Sequence, residues 1–119
     1  MDNRKPMARA IIASEHAEQV TFCQWLTLKR IPHFAVPHGS NKSKTARGIF
    51  KAEGLKSGVP DMVCLLPQKI VFIEMKRRKG GTVSPEQKEW NKILNGFEYA
   101  EAHICKGFEE AKAVIQKYV

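Results

Sequence analysis

Asp61, Glu74 and Lys76 are the residues of this 119-residue chain whose types and spacing could do chemistry together. Asp61 follows Pro60 and opens a short apolar run, residues 62–66 (MVCLL). Glu74 and Lys76 stand at the end of a second run, residues 70–74 (IVFIE). A strand alternates its side chains with period two, so Glu74 and Lys76 share a face while Met75 points away. If the two runs pair as a hairpin, the start of the first lies beside the end of the second, and Asp61 meets the other two. Two carboxylates at one sheet edge can hold a hard divalent cation such as Mg²⁺, which keeps several waters and binds substrate phosphate. Such an ion polarises a phosphoryl oxygen and lowers the pKa of water. The backbone carbonyl of Met75 could add an oxygen ligand, and Lys76 could orient the attacking water and offset charge in the transition state. The competing reading makes Asp61 a turn cap and Glu74–Lys76 a surface pair. Against it, charged residues interrupt apolar strands at matching ends, the chain is basic, and Gly58-Val59-Pro60 forces an unusual approach to Asp61.

The elements that must position these residues can be read outward from them. Only Pro67-Gln68-Lys69 separate the two apolar runs, which suits a tight connection between neighbouring strands. Their nearly continuous apolarity predicts central strands covered on both faces. Upstream, Ser14 is an N-cap for a helix running to Arg30, with Glu15 and Glu18 in its first turn, where the macrodipole favours acids. Ala17, Val20, Phe22, Cys23, Trp25, Leu26 and Leu28 give that helix a broad apolar arc, and Pro32 stops it. Residues 33–37 suit a short extended piece, residues 38–47 (HGSNKSKTAR) an exposed polar loop, and residues 45–53 a short helix ended by Gly54. Downstream, Ser84-Pro85-Glu86-Gln87 combines an N-cap serine, proline at the first helical position and a capping-box glutamine. That helix should run to Asn95 and end at Gly96. Residues 98–105 read as a further strand, and Phe108, Ala111, Ile115 and Tyr118 mark the buried stripe of a final helix after Gly107. The order helix, strands, helix, strand, helix indicates one α/β layered domain over residues 1–119, with residues 1–13 as a flexible lead-in.

Composition narrows the partners. A net charge of +8 favours polyanions, and nucleic acid is the leading class. Lys42, Lys44, Arg47, Lys56, Arg77, Arg78 and Lys79 bracket the proposed site, where they could contact phosphates without reading sequence. No apolar run approaches the length a bilayer requires, and residues 1–13 lack the apolar stretch of a signal peptide, so a cytoplasmic protein without membrane contact is expected. Cys23, Cys64 and Cys105 have neither disulfide nor zinc spacing and read as buried thiols. His16, His33, His38 and His103 form no ligand pattern.

GVPD at 58–61, IEMK at 73–76 and SPEQ at 84–87 together resemble the VRR-NUC branch of the PD-(D/E)xK nuclease superfamily, and the likeness extends from SEHAEQ at 14–19 to the final helix. The resemblance implies a restriction endonuclease-like core, a central mixed β-sheet flanked by helices, and Mg²⁺- or Mn²⁺-dependent hydrolysis of phosphodiester bonds in DNA. It assigns Asp61, Glu74, Lys76 and Gln87 to the active site. A further acid comes from the first helix, where Glu15 matches best and Glu18 is the fallback. Small stand-alone members resemble phage-associated enzymes that dimerise and cut branched DNA, including four-way junctions. No organic cofactor is implied. The alternative is a non-catalytic nucleic-acid-binding domain using the same basic surface.

Overall fold

The computed structural model describes residues 13–37, 48–49 and 51–119. Helix α1 (Glu15–Leu28) starts where Ser14 accepts a hydrogen bond from the Ala17 amide, 3.0 Å away. It stops two residues before the predicted end, because Lys29 caps it and Arg30 turns into the left-handed region at φ 61°. Its buried stripe is also narrower than the arc of apolar letters. Phe22 and Leu26 are buried with Glu18, while Val20 and Leu28 face solvent, since only one side of the helix meets the sheet.

Four strands follow the order β1 (His33–Ala35), β2 (Met62–Leu65), β3 (Ile70–Lys76) and β4 (Ala100–Lys106) across one sheet. The first three pair antiparallel, and β2 and β3 form the expected hairpin, with Met62 opposite Ile73 and Leu65 opposite Ile70. β3 and β4 are parallel, so the chain must cross over between them; helix α2 (Pro85–Leu94) makes that crossover. Helix α3 (Phe108–Gln116) closes the chain. The result is the α/β layering that the element order predicts and the mixed sheet flanked by helices that the resemblance implies.

The core lies between the sheet and the pair α1 and α3. Phe22, Leu26, Met62, Cys64, Val71, Ile73, Met75, Cys105, Ala111 and Ile115 pack there. The opposite face is only partly covered, contrary to the expectation of strands buried on both sides. α2 packs on β4, and at the other end of the sheet Phe34 and Leu65 remain 53% and 41% exposed. β4 starts at Ala100 rather than 98, because residues 97–100 form a turn closed by the Ala100 amide on the Phe97 carbonyl. The predicted helix over 45–53 falls partly outside the described residues. Its last turn is present, with the Glu53 amide on the Ile49 carbonyl and Gly54 at φ 104°. Burial pushes the thiols of Cys64 and Cys105 up to about 12, which suits packing rather than nucleophilic roles.

One polar cluster ties β4 to the C-terminal end of α3. Glu101 Oε2 accepts from His103 Nε2 at 2.7 Å and Lys117 Nζ at 3.3 Å, and Oε1 from the Tyr118 hydroxyl. Burial opposes the Glu101 charge, yet these donors outweigh it and hold the carboxyl down to about 2 from the ordinary 4.5. A depressed acid stabilises the fold above its unfolded pKa, and that contribution disappears as pH falls through the folded value. Thermal melts of wild type should therefore lose stability between pH 4.5 and about 2, and Glu101→Gln should show a shallower slope in that window. An unchanged slope would remove the cluster from the account.

Candidate active site

Asp61 stands one residue before β2, in the register position opposite Glu74. Its carbonyl accepts from the Val36 amide at 2.7 Å, which ties it to the chain leaving β1. Its side chain accepts from the Met75 amide at 2.9 Å. The reason is positional: odd-numbered residues of β3 point their amides towards β2, and β2 has ended by Met75. Asp61 thus satisfies a backbone donor that the ladder leaves over.

Glu74 and Lys76 are on the face opposite Met75, as alternation requires, and both are buried. Glu74 Oε2 accepts from Gln87 Nε2 at 2.9 Å and lies 3.7 Å from Lys76 Nζ. Glu74 Oε1 is buried with no hydrogen-bond donor among the described residues. Burial first, and then the charge of Asp61, push the Glu74 carboxyl up to about 8; a hydrogen bond with the Asp61 carboxyl and the charge of Glu15 add to this, while Lys76 opposes it. The two carboxyls can share a proton, but if both are ionised their charges repel, which the Lys76 ammonium only partly offsets. A cation between them would relieve the same conflict.

The donor set fits one kind of ion. Among the described residues no three His, Cys, Asp or Glu side chains are grouped so that together they could hold a metal ion, so the carboxylate donors are Asp61 and Glu74 alone. Two carboxylates and a backbone carbonyl suit a hard divalent cation that retains water, and not a structural zinc centre.

Gln87 makes both the capping-box contacts and a bond to Glu74. Its amide donates to Ser84 Oγ at 3.1 Å, and its Oε1 accepts from the Ser84 amide at 3.0 Å, which completes the capping box of α2. Its Nε2 remains to hold Glu74. The first turn of α2 is placed by Gly58, at φ 87°. A Cβ there would lie 2.5 to 2.7 Å from Glu86 atoms, backbone included, so glycine lets the turn before Asp61 press against the helix that carries Gln87. The sequence flagged the GVP turn but offered no sign of this contact.

The helix-1 acids separate. Glu15 is exposed and adds its charge to the field around Glu74. Glu18 is buried and bound to Arg78 and the Phe108 amide, so its carboxylate is engaged away from Asp61 and Glu74. Of the seven bracketing cations, Lys42, Lys44 and Arg47 lie outside the described residues. Lys56, Arg77, Arg78 and Lys79 are exposed; Arg77 touches the Gly80 carbonyl at 3.4 Å and Arg78 is held by Glu18.

The VRR-NUC domain family matches residues 3–109. A solved structure of a "VRR_NUC domain protein" is similar over 90% of this chain and 88% of that one, with a TM-score of 0.72 and 24% identity, and it shows the same fold. The chain matches none of the curated proteins. No helix among the described residues is long and apolar enough to cross a membrane.

Proposed function

The chain belongs to the VRR-NUC domain family, a nuclease-type family, and from that premise we propose that it is a metal-dependent, structure-selective DNA endonuclease acting on branched DNA such as four-way junctions. One observation carries the reading: a buried Glu74 oxygen without a donor among the described residues, set against Asp61 and beside a buried lysine. A surface ion pair needs none of these features.

Asp61 and Glu74, with the Met75 carbonyl, would hold Mg²⁺ or Mn²⁺. When bound, such an ion supplies Lewis-acid polarisation of the scissile phosphate and an acidified water. The Met75 carbonyl leaves β3 on the same side as its amide, towards the place where β2 has ended and Asp61 takes over. Lys76 keeps its ammonium beside Glu74, where it offsets charge gathering on the phosphoryl oxygens and orients the attacking water. Gln87 fixes Oε2 of Glu74 and so sets the rotation of the carboxylate. Lys56, Arg77, Arg78 and Lys79, with Lys42, Lys44 and Arg47, position phosphates without reading bases. A homodimer would address two strands of a symmetric junction. The protein would work in the cytoplasm of a bacterial host.

Gln87 offers an internal control. Ser84→Ala and Gln87→Ala each weaken the same cap and should each cost about 1 kcal/mol in denaturant unfolding. Only Gln87→Ala releases Glu74, so it alone should slow cleavage, by roughly tenfold if the lost hydrogen bond to a charged group is worth about 1.5 kcal/mol. Equal cleavage by the two variants would leave Gln87 with a capping role only.

The substrate is tested by incubating labelled four-way junctions, flaps, ends and linear duplex with the protein and each metal, with a chelator as control. Faster cutting of junctions in Mg²⁺ or Mn²⁺ is expected. Junctions cut no faster than duplex would remove the branched-DNA preference while leaving a nuclease. Binding without products in either metal would favour a non-catalytic DNA-binding domain.

A further inference from the structure

Helix α2 carries Gln87 to Glu74, yet no residue of α2 is buried. Its half-buried positions, Gln87, Trp90, Asn91 and Leu94, repeat at helical spacing and face the sheet, and two of the four are polar. A helix that buries so little apolar surface depends on polar contacts for its placement. At its first turn, Gly58 presses on Glu86 and Gln87 Nε2 reaches Glu74 Oε2. At its other end stands Asn95, the C-cap. Asn95 Nδ2 donates to the Ala102 carbonyl at 3.0 Å and to the Asn91 carbonyl at 2.9 Å. Asn95 Oδ1 accepts from the Ala102 amide at 2.9 Å.

β4 is the last strand of its sheet, so the outward amide and carbonyl of Ala102 have no neighbouring strand to pair with. The Asn95 side chain takes both, as a residue of a further strand would. The position of this clamp matters. Residues 96–99 already join the end of α2 to Ala100, but a single tether leaves a helix free to swing about it. Ala102 lies two residues, about 7 Å, further into β4. A second point of attachment there fixes the angle at which α2 crosses the strand. Gln87 is eight residues back from Asn95, about 12 Å along the axis, so any swing would be felt where it meets Glu74.

We propose that Asn95 is a positioning residue for the active site: its clamp on Ala102 sets the angle of α2 on β4 and so holds Gln87 Nε2 against Glu74 Oε2. This rests on the metal-dependent nuclease reading and deepens it. Asn95 touches neither substrate nor ion; it acts through Gln87.

The Gln87 side-chain amide reports on the clamp without DNA or metal. In the ¹⁵N-labelled full chain its Nε2 resonance, identified by its loss in Gln87→Ala, is compared in wild type, Ser84→Ala, Asn95→Ala and Asn95→Asp, with a thermal melt for each. Asn95 is exposed, so its variants should keep the fold. Asn95→Asp conserves size while setting a carboxylate against the Asn91 and Ala102 carbonyls, and serves should Asn95→Ala not fold. The resonance should move towards that of a free glutamine amide in both Asn95 variants and stay near its wild-type position in Ser84→Ala. On a junction in Mn²⁺, Asn95→Ala should lower kcat by up to about tenfold, the factor set by the Gln87–Glu74 bond, with KM for DNA unchanged. Combined with Gln87→Ala it should slow cleavage no further. A Gln87 resonance unmoved in the Asn95 variants, or a slowing that multiplies with that of Gln87→Ala, would overturn the proposal and leave Asn95 a cap alone. A wild type that cuts no DNA in Mg²⁺ or Mn²⁺ would overturn the nuclease reading instead, while the Gln87 resonance would still decide whether the clamp sets Gln87.

Discussion

Glu74→Ala and Asp61→Ala should each lower cleavage of a DNA junction by roughly a thousandfold or more, with DNA affinity in chelator close to wild type. The size follows from what the pair is asked to supply: several kcal/mol of charge stabilisation, at about 1.4 kcal/mol per tenfold in rate. The separation of cleavage from binding follows from position. Both carboxylates repel phosphate, and Glu74 is buried, so neither contributes attraction that the variant would forfeit. Burial and Asp61 push the Glu74 carboxyl up to about 8, and the end of that conflict offsets the acceptor that Asp61→Ala takes from the Met75 amide and the counter-charge that Glu74→Ala takes from Lys76. The variants should therefore remain folded, as circular dichroism and gel filtration would show. Retained Mg²⁺-dependent cleavage in both would end the account.

Lys76→Met should have the next largest effect, a fall of roughly 100- to 1000-fold in cleavage under single-turnover conditions. That estimate borrows the cost of deleting one donor aimed at developing charge in a water-poor site. The side chain is 10% exposed, with its ammonium 3.7 Å from Glu74 Oε2, so it acts where screening by water is weak. Methionine retains most of the stem, which packs over Gly81 at a distance of 3.3 Å from a Cβ placed there, and the fold should persist. Metal binding should persist too, because no carboxylate is lost. A variant that cuts at the wild-type rate would reduce Lys76 to a counter-charge for Glu74.

Much of this site is legible in the chain because local rules decide it. Period-two alternation places Glu74 and Lys76 on one face, and the hairpin brings Asp61 opposite. Ser84 and Gln87 form the predicted box because both bonds fall within one helical turn. What escapes the sequence depends on contacts between distant segments. Glu18 reads as a first-turn acid, and nothing in its neighbourhood announces the Phe108 amide 90 residues on. Gly58 marks a turn, but its closeness to Glu86 belongs to the tertiary fold. The apolar letters of β2 and β3 likewise overstate coverage. Composition cannot say that α2 packs over β4 and leaves Leu65 and Phe34 at the far end exposed.

Asp61 and Glu74 are proposed to form a divalent-cation site. Electron paramagnetic resonance of free Mn²⁺, titrated with wild type, Asp61→Asn and Glu74→Gln in the absence of DNA, tests it most directly. The isosteric amides keep shape and remove charge. Wild type should bind Mn²⁺, and each variant should lose at least about tenfold in affinity, the scale of a single lost interaction with a charged group. Equal Mn²⁺ binding by all three proteins would contradict it.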